Sequence, residues 1–224
     1  MQQTSLNLIA IGVFAMTMFS LLGPLFNISP AVPAIATFSI LSLATIDTLS
    51  WQGKGVNLLV DWVAGASPQY RDRIIRHEAG HFLVAYLLDI PITGYALSAW
   101  EAFKQKQPGQ GGVTFAPPDL TSSTLPVLID RYCTLWMAGI AAETLVYDSV
   151  EGGAEDRQQL RDVLALVKRP NSEILQKERL AILQAKTLIQ THWTAYEALV
   201  TAMEQRTSVA ECCELIQQHK KTNH

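Results

Sequence analysis

The first 46 positions contain no Asp, Glu, Lys or Arg, and charged residues begin only at Asp47. Within that stretch LNLIAIGVFAMTMFSLLGPLF (6–26) is mostly apolar. Its 21 residues would extend about 31 Å as a helix, the thickness of a bilayer core. A second apolar run, PAVPAIATFSILSLATI (30–46), would extend about 26 Å and needs flanking residues to span. Pro30 and Pro33 fall in its first turn, where proline does least harm. With the GPLFNIS turn between them, the two runs predict a transmembrane helical hairpin over residues 1–50.

The pattern then changes. Residues 51–66 read as a membrane-exit linker, with Trp51 and Trp62 suited to an interface. Ser67-Pro68 is an N-cap followed by proline at the first helical position, and it opens a helix over 68–88 that stops before Pro91. ITGYALSAW (92–100) alternates and predicts a strand, EAFKQKQPGQGG a loop, and GVTFAPP a short strand ending at two prolines. Helical periodicity runs from Ser122 to about Val146. EGGAED breaks it, and a new helix starts at Asp156. Pro170 ends that helix, and Ser172 caps a long one carrying an apolar stripe from Ile174 to Val200. His192 falls within it. Trp136 and Met137 read as core. Ser208-x-x-Glu211 is a capping box for a final short helix. The expected fold is mainly α with a small β element, organised as the hairpin (1–50), the linker (51–66), a helical domain (67–210) and a C-terminal helix end and tail (211–224).

Composition narrows the function. The 224-residue chain has a net charge of −3 and no basic block, so nucleic acid is not an expected partner. Its three cysteines, two of them adjacent, make no disulfide framework and have no zinc-finger spacing. The N-terminus lacks the positive region of a signal peptide. Lys54, Arg71, Arg73 and Arg76 follow the hairpin. The positive-inside rule therefore sets the large domain, and with two spans the N-terminus, on the cytoplasmic side or its stromal equivalent.

The candidate chemistry lies in RHEAGHFLVAYLL. His77 and His81 are four apart, so a helix presents both imidazoles on one face to one metal. Zinc suits two such nitrogens and, when catalytic, keeps one position for water. Glu78 is placed to reach that water as general base and then to protonate the leaving amine. Gly80 costs a helix about 1 kcal/mol relative to alanine but leaves the turn between the histidines bare for close approach. His192, His219 and His224 are poorly placed as a third ligand. Glu143, Asp148, Glu151, Glu155, Asp156 and Asp162 are the carboxylate candidates. Asp156 begins a helix after a Gly-Gly break and so aims a short carboxylate, although capping alone would also explain it.

These residues resemble the peptidase domain of the FtsH-type membrane metalloproteases. RHEAGHFLVAYLL is similar to the family's zinc helix, ITGYAL…GGVTFAPP to the strand pair beside its active site, and MAGIAAETLVYDSVEGGAED to its Gly-Ala-Glu helix and third-ligand loop. The resemblance covers about 68–210 and the layout of the hairpin. It implies a membrane-anchored zinc metalloendopeptidase with His77 and His81 as ligands, Glu78 as base and an aspartate as third ligand. The family loop has Gly-Ala, two residues, then Asp. Here Gly153-Ala154 is followed by one residue and then Asp156, so an ungapped match would bring Arg157 to the ligand position. One deletion restores Asp156, and Glu155 remains a substitute.

The family's ATPase module has no counterpart between hairpin and helix, and no GxxxxGK[ST] occurs. Such an enzyme would cut unfolded or flexible protein segments, alone, as a homo-oligomer or beside a separate ATPase. Extended substrate would add along Gly112, Val113, Thr114 and Phe115 by backbone pairing, the other reading being an ordinary edge strand. Two alternatives stand beside this one. An intramembrane zinc protease conflicts with the charges at Arg71, Asp72, Arg73, Arg76 and Asp89. A catalytically silent pseudo-peptidase, acting as scaffold or partner of full-length FtsH-type proteases, fits the altered loop and the missing module.

Overall fold

In the computed structural model, which describes residues 2–29, 31–51, 55, 67–107, 111–116 and 125–222, the central element is the helix opened by Ser67. Ser67 Oγ accepts from the Tyr70 N–H, and Pro68 takes the first helical position of α3 (Pro68–Leu87). Two helices precede it, α1 (Gln2–Leu22) and α2 (Ala31–Trp51), joined by a short 3₁₀ turn over Gly23–Phe26. The Thr17, Thr37 and Thr45 hydroxyls donate to carbonyls one turn back, which removes the penalty of bare hydroxyls on these apolar helices. Within this pair Ile9–Phe26 is long and apolar enough to cross a membrane, whereas the apolar part of α2, Ala31–Asp47, is shorter. Most of the linker, including Lys54 and Trp62, lies outside the described residues, as do Pro30, Ser122 and His224.

After α3 come β1 (Ile92–Ala96), α4 (Ala99–Lys104) and β2 (Gly112–Phe115). Six helices follow: α5 (Leu125–Trp136), α6 (Ala138–Tyr147), α7 (Ala154–Leu166), α8 (Asn171–Thr191), α9 (Trp193–Glu204) and α10 (Val209–Thr222). The two strands are antiparallel, with Tyr95 opposite Val113 and Ala96 opposite Gly112.

The second half of α3 is buried on all sides, with every residue from Ala79 to Ala85 buried, and must therefore be covered by several helices. Phe82, Leu83 and Ala79 are fully buried, packed with Ala138 and Ala142 of α6, Ile189 of α8, Tyr196 and Leu199 of α9, and Cys212 and Ile216 of α10. Burying a Phe or Leu side chain completely contributes about 1.5–3 kcal/mol, so these contacts hold the site-bearing helix from behind. Cys212 and Ile216 thus tie α10 into the same core. Gly80 is where α6 crosses. A Cβ there would lie 2.7 Å from the Ala138 carbonyl oxygen and 2.8 Å from Ala142 Cβ, so the bare turn is filled by a neighbouring backbone.

Several local expectations are corrected. The stretch from Ala99 to Lys104 is a helix rather than strand end and loop, because Ser98 Oγ caps the Glu101 N–H and Glu101 accepts in return from the Leu97 N–H. The helical run expected to 146 breaks at Met137 into α5 and α6, and the long C-terminal run breaks at His192 into α8 and α9. Pro170, not Ser172, holds the N-cap position of α8. α7 starts at Ala154, so Asp156 lies inside its first turn.

Candidate metal centre

His77 and His81 are buried on one face of α3, with ring centroids 4.8 Å apart and Nε2 atoms 3.1 Å apart. Asp156 arrives from α7. Gly153, at φ 80°, is the N-cap, and its left-handed conformation turns the chain so that the third residue of the helix faces α3. Asp156 Oδ2 then lies 3.2 Å from His77 Nε2 and 3.5 Å from His81 Nε2. Asp156 is not the cap of α7, since Gly153 holds that position. Gly139 is bare where His77 packs, since a Cβ there would overlap the imidazole.

The outer partners assign the tautomers. His81 Nδ1 is 2.9 Å from the Leu135 carbonyl oxygen, which only accepts, so Nδ1 carries the proton. His77 Nδ1 is 2.8 Å from Glu143 Oε1 and donates likewise. Both Nε2 atoms are then lone pairs, and with Asp156 Oδ2 they make three electron-pair donors facing one another. Such a triangle is repulsive unless a cation or a shared proton enters it. Bonds of about 2.0–2.1 Å in tetrahedral geometry give donor–donor edges of about 3.3–3.4 Å, close to the three separations here. His77, His81 and Asp156 therefore form a group able to hold a metal ion.

Without a metal, protons substitute. Burial works against charge on His77, but the hydrogen bonds it donates to Asp156 and Glu143 outweigh it and push its pKa up to about 10. His81 is also raised, Asp156 prevailing over burial. The Asp156 carboxyl is opposed by burial and pulled the other way by the two imidazoles, and ends well below the ordinary carboxylate range.

Glu143 has a role different from the ligand candidacy it held in sequence. It is 1% exposed, and its two oxygens accept four bonds. Oε1 takes His77 Nδ1 and the Gly152 N–H (3.1 Å), and Oε2 takes Arg73 Nη1 (2.9 Å) and the Glu151 N–H (2.8 Å). Burial would raise its pKa, but the His77 bond and the two backbone donors hold it low. It orients His77 and ties down the loop before Asp156. Arg73 reads as a flanking charge in sequence, yet it sits one turn before His77, binds Glu143 and covers the Tyr147 ring at 4.4 Å. The four-residue spacing was the available signal.

The other acids are elsewhere. Glu155 is exposed at the rim, Asp162 accepts from Gln158 Nε2, and Glu151 pairs with Arg73 at 3.4 Å. Arg157 turns away to Glu178 at 3.0 Å. Glu78 also faces the cleft, and its Oε2 accepts the Val113 N–H of β2 at 2.9 Å. A backbone donor of this kind leaves no mark in a sequence.

The cleft has a volume of about 490 Å³. His77, Glu78, His81 and Asp156 line it, with Gly112, Val113 and Phe115 along one side and Trp136, expected as core, also bordering it. Thr114 is not among the lining residues. Its hydroxyl donates to the Gly94 carbonyl on β1 at 3.1 Å. Across known proteins, no family model matches the chain and no curated protein matches it.

Proposed function

We propose that this protein is a membrane-anchored zinc metalloendopeptidase that hydrolyses peptide bonds in flexible or unfolded protein segments. The observation that carries this reading is the triangle of two imidazole lone pairs and one carboxylate oxygen beside a second carboxylate, Glu78, in an open cleft. Two nitrogens and one oxygen form a donor set suited to zinc with one position left for water or substrate. When bound, zinc would supply Lewis acidity, lowering the pKa of a water and polarising the scissile carbonyl.

The chain's own residues account for the remaining chemistry. Glu78 accepts a proton from the attacking water and passes it to the leaving amine. The Val113 N–H orients its carboxylate through Oε2. Glu143 and the Leu135 carbonyl keep the protons of His77 and His81 on Nδ1, so that Nε2 stays open as a ligand. β2 is one of two strands among the described residues, both of them edges, and its Gly112, Val113 and Phe115 border the cleft, which favours extended substrate pairing along Gly112–Phe115. The resemblance of HEAGH, the strand pair and the Asp156 loop to FtsH-type peptidases supports the same conclusion. So does an N-terminal helix able to cross a membrane. In this reading α2 completes a second span, and the domain lies on the side of Lys54, Arg71, Arg73 and Arg76.

The test is cleavage of casein by the detergent-purified protein, with zinc and without ATP, beside Glu78→Gln and with metal content measured on both. Cleavage lost in a variant that keeps its zinc is the expected result. Zinc present with no cleavage by either protein would make the chain a metal-binding scaffold instead.

A further inference from the structure

We infer that α4 forms a lip that settles into the headgroup layer of the membrane, so that the adjoining cleft meets segments close to the bilayer surface; this rests on the membrane-anchored reading above. Ala99 and Ala102 are buried and fix the helix to the domain. Its outer face is the reverse. Trp100 and Phe103 are 54% and 65% exposed, with their rings stacked 5.9 Å apart at 19°. Two large aromatics held together in water are an unusual use of surface. Lys104 Nζ lies 5.2 Å from the Trp100 ring, and Lys104, Gln105 and Lys106 are all exposed.

Charge decides the occupant. Glu101 is the one carboxylate between Ser98 and Gln107, and it is taken by Arg206 Nε at 2.8 Å and the Leu97 N–H at 2.8 Å. The outward face therefore combines two aromatic rings with two lysines and no uncompensated acid. This is the chemistry of a membrane interface: rings lie at headgroup depth, and lysines meet anionic phosphates. The chain supplies the proximity. Fifteen residues lie between Trp51, the end of α2, and Ser67, the cap of α3, so even a fully extended connection reaches only about 55 Å. Tethering of this kind makes a weak surface contact effective. The lip adjoins the cleft directly, since Ser98, Ala99, Gly111 and Gly112 line it. The substrates that fit are unfolded juxtamembrane segments.

The experiment uses the full chain in the Glu78→Gln background, reconstituted at one copy per nanodisc containing anionic lipid. A nitroxide is attached at Gln105→Cys, with Cys213→Ser to remove the accessible thiol and Ser172→Cys as an exposed control. Collision with oxygen is compared with collision with a water-soluble nickel complex. At position 105 the oxygen-to-nickel ratio should exceed the control several-fold, and it should fall to the control value when Trp100 and Phe103 are both replaced by serine. A ratio equal to the control in the parent overturns the proposal. Shielding from both reagents overturns it in favour of a protein contact. Failure to float with lipid vesicles overturns it together with the anchoring reading. Because the readout needs no turnover, a docked lip beside a Glu78-bearing protein that holds zinc yet leaves casein uncut refutes only the peptidase reading, and casein cleavage by that protein with a water-exposed lip refutes only this one.

Discussion

Replacing Glu143 by glutamine tests whether a fully buried carboxylate holds the metal group in register. Glutamine keeps the shape, so no cavity forms, but it converts one oxygen into a donor. If the amide oxygen stays with His77 and Gly152, the NH₂ points at the Arg73 guanidinium and the Glu151 N–H. If it stays with Arg73, the NH₂ points at His77 Nδ1 and the Gly152 N–H. Either rotamer breaks two bonds, at least one of them to a charged or metal-directed group. Bonds to charged groups contribute about 1.5–3 kcal/mol and neutral ones about 1 kcal/mol, so folding stability should fall by about 2.5–4 kcal/mol. Metal affinity should fall about 10–100-fold, because the amide is either a weaker acceptor for Nδ1 than the carboxylate or no acceptor at all, and in the second case the proton shifts to Nε2 and blocks the ligand position. Competition with a chromophoric chelator measures the affinity, and urea unfolding of the metal-free protein measures the stability. Glu151→Gln, whose side chain is 65% exposed, is the control and should cost less than about 0.5 kcal/mol. Zinc affinity within twofold of the parent, with an unchanged urea midpoint, would show that Glu143 does not orient His77.

Other outcomes follow from the same geometry. Asp156→Ala should abolish tight metal binding while Glu155→Ala leaves it intact, as measured by metal content after dialysis; the reverse would assign the third ligand to Glu155. Metal binding should release protons near neutral pH, visible as a buffer-dependent enthalpy in calorimetry, because His77 holds its proton up to about 10 in the metal-free site. The sign for stability follows: the raised His77 pKa stabilises the metal-free fold fully below about 6.5, its unfolded value, and that contribution disappears as pH rises through about 10. Asp156, with its pKa lowered, contributes above about 3.9 and is lost on acidification below it. Urea midpoints of the metal-free protein across pH should fall on both flanks. Gly80→Ala should destabilise by about 1–2 kcal/mol, since crowding against Ala138 and Ala142 exceeds the helix-propensity gain; a raised urea midpoint would refute the close crossing.

What could be read from the chain alone was whatever depends on near neighbours in sequence. The four-residue spacing of His77 and His81 sets a common face on any helix. Ser67-Pro68 starts α3, and the Ser208–Glu211 box is formed as expected, with the Ser208 N–H and hydroxyl both donating to Glu211 Oε2. A charge-free stretch of membrane length is likewise a local property. The Ser98–Glu101 box was equally local, but it lay hidden under the glycine and proline content of the segment that follows it.

Tertiary structure decided the rest, because it depends on which distant groups converge. Six acids were candidates for the third position, and the sequence favoured Asp156 through its Gly-Gly break and the loop resemblance while leaving Glu155 as a substitute. Asp156 meets the two Nε2 atoms because Gly153 turns the chain and α7 packs where its third residue faces α3. Glu143 moved from ligand candidate to anchor because it meets His77 from the Nδ1 side, and that side is determined by the crossing of α6 over Gly80. The breaks at Met137 and His192 interrupt helical patterns that continue in the sequence. They arise from packing rather than from propensity. The coupling of Glu78 to β2 runs through a backbone N–H that every residue but proline possesses. Periodicity and caps act within a turn or two and survive in any context, whereas burial, tautomer and ligand choice exist only once the chain has folded.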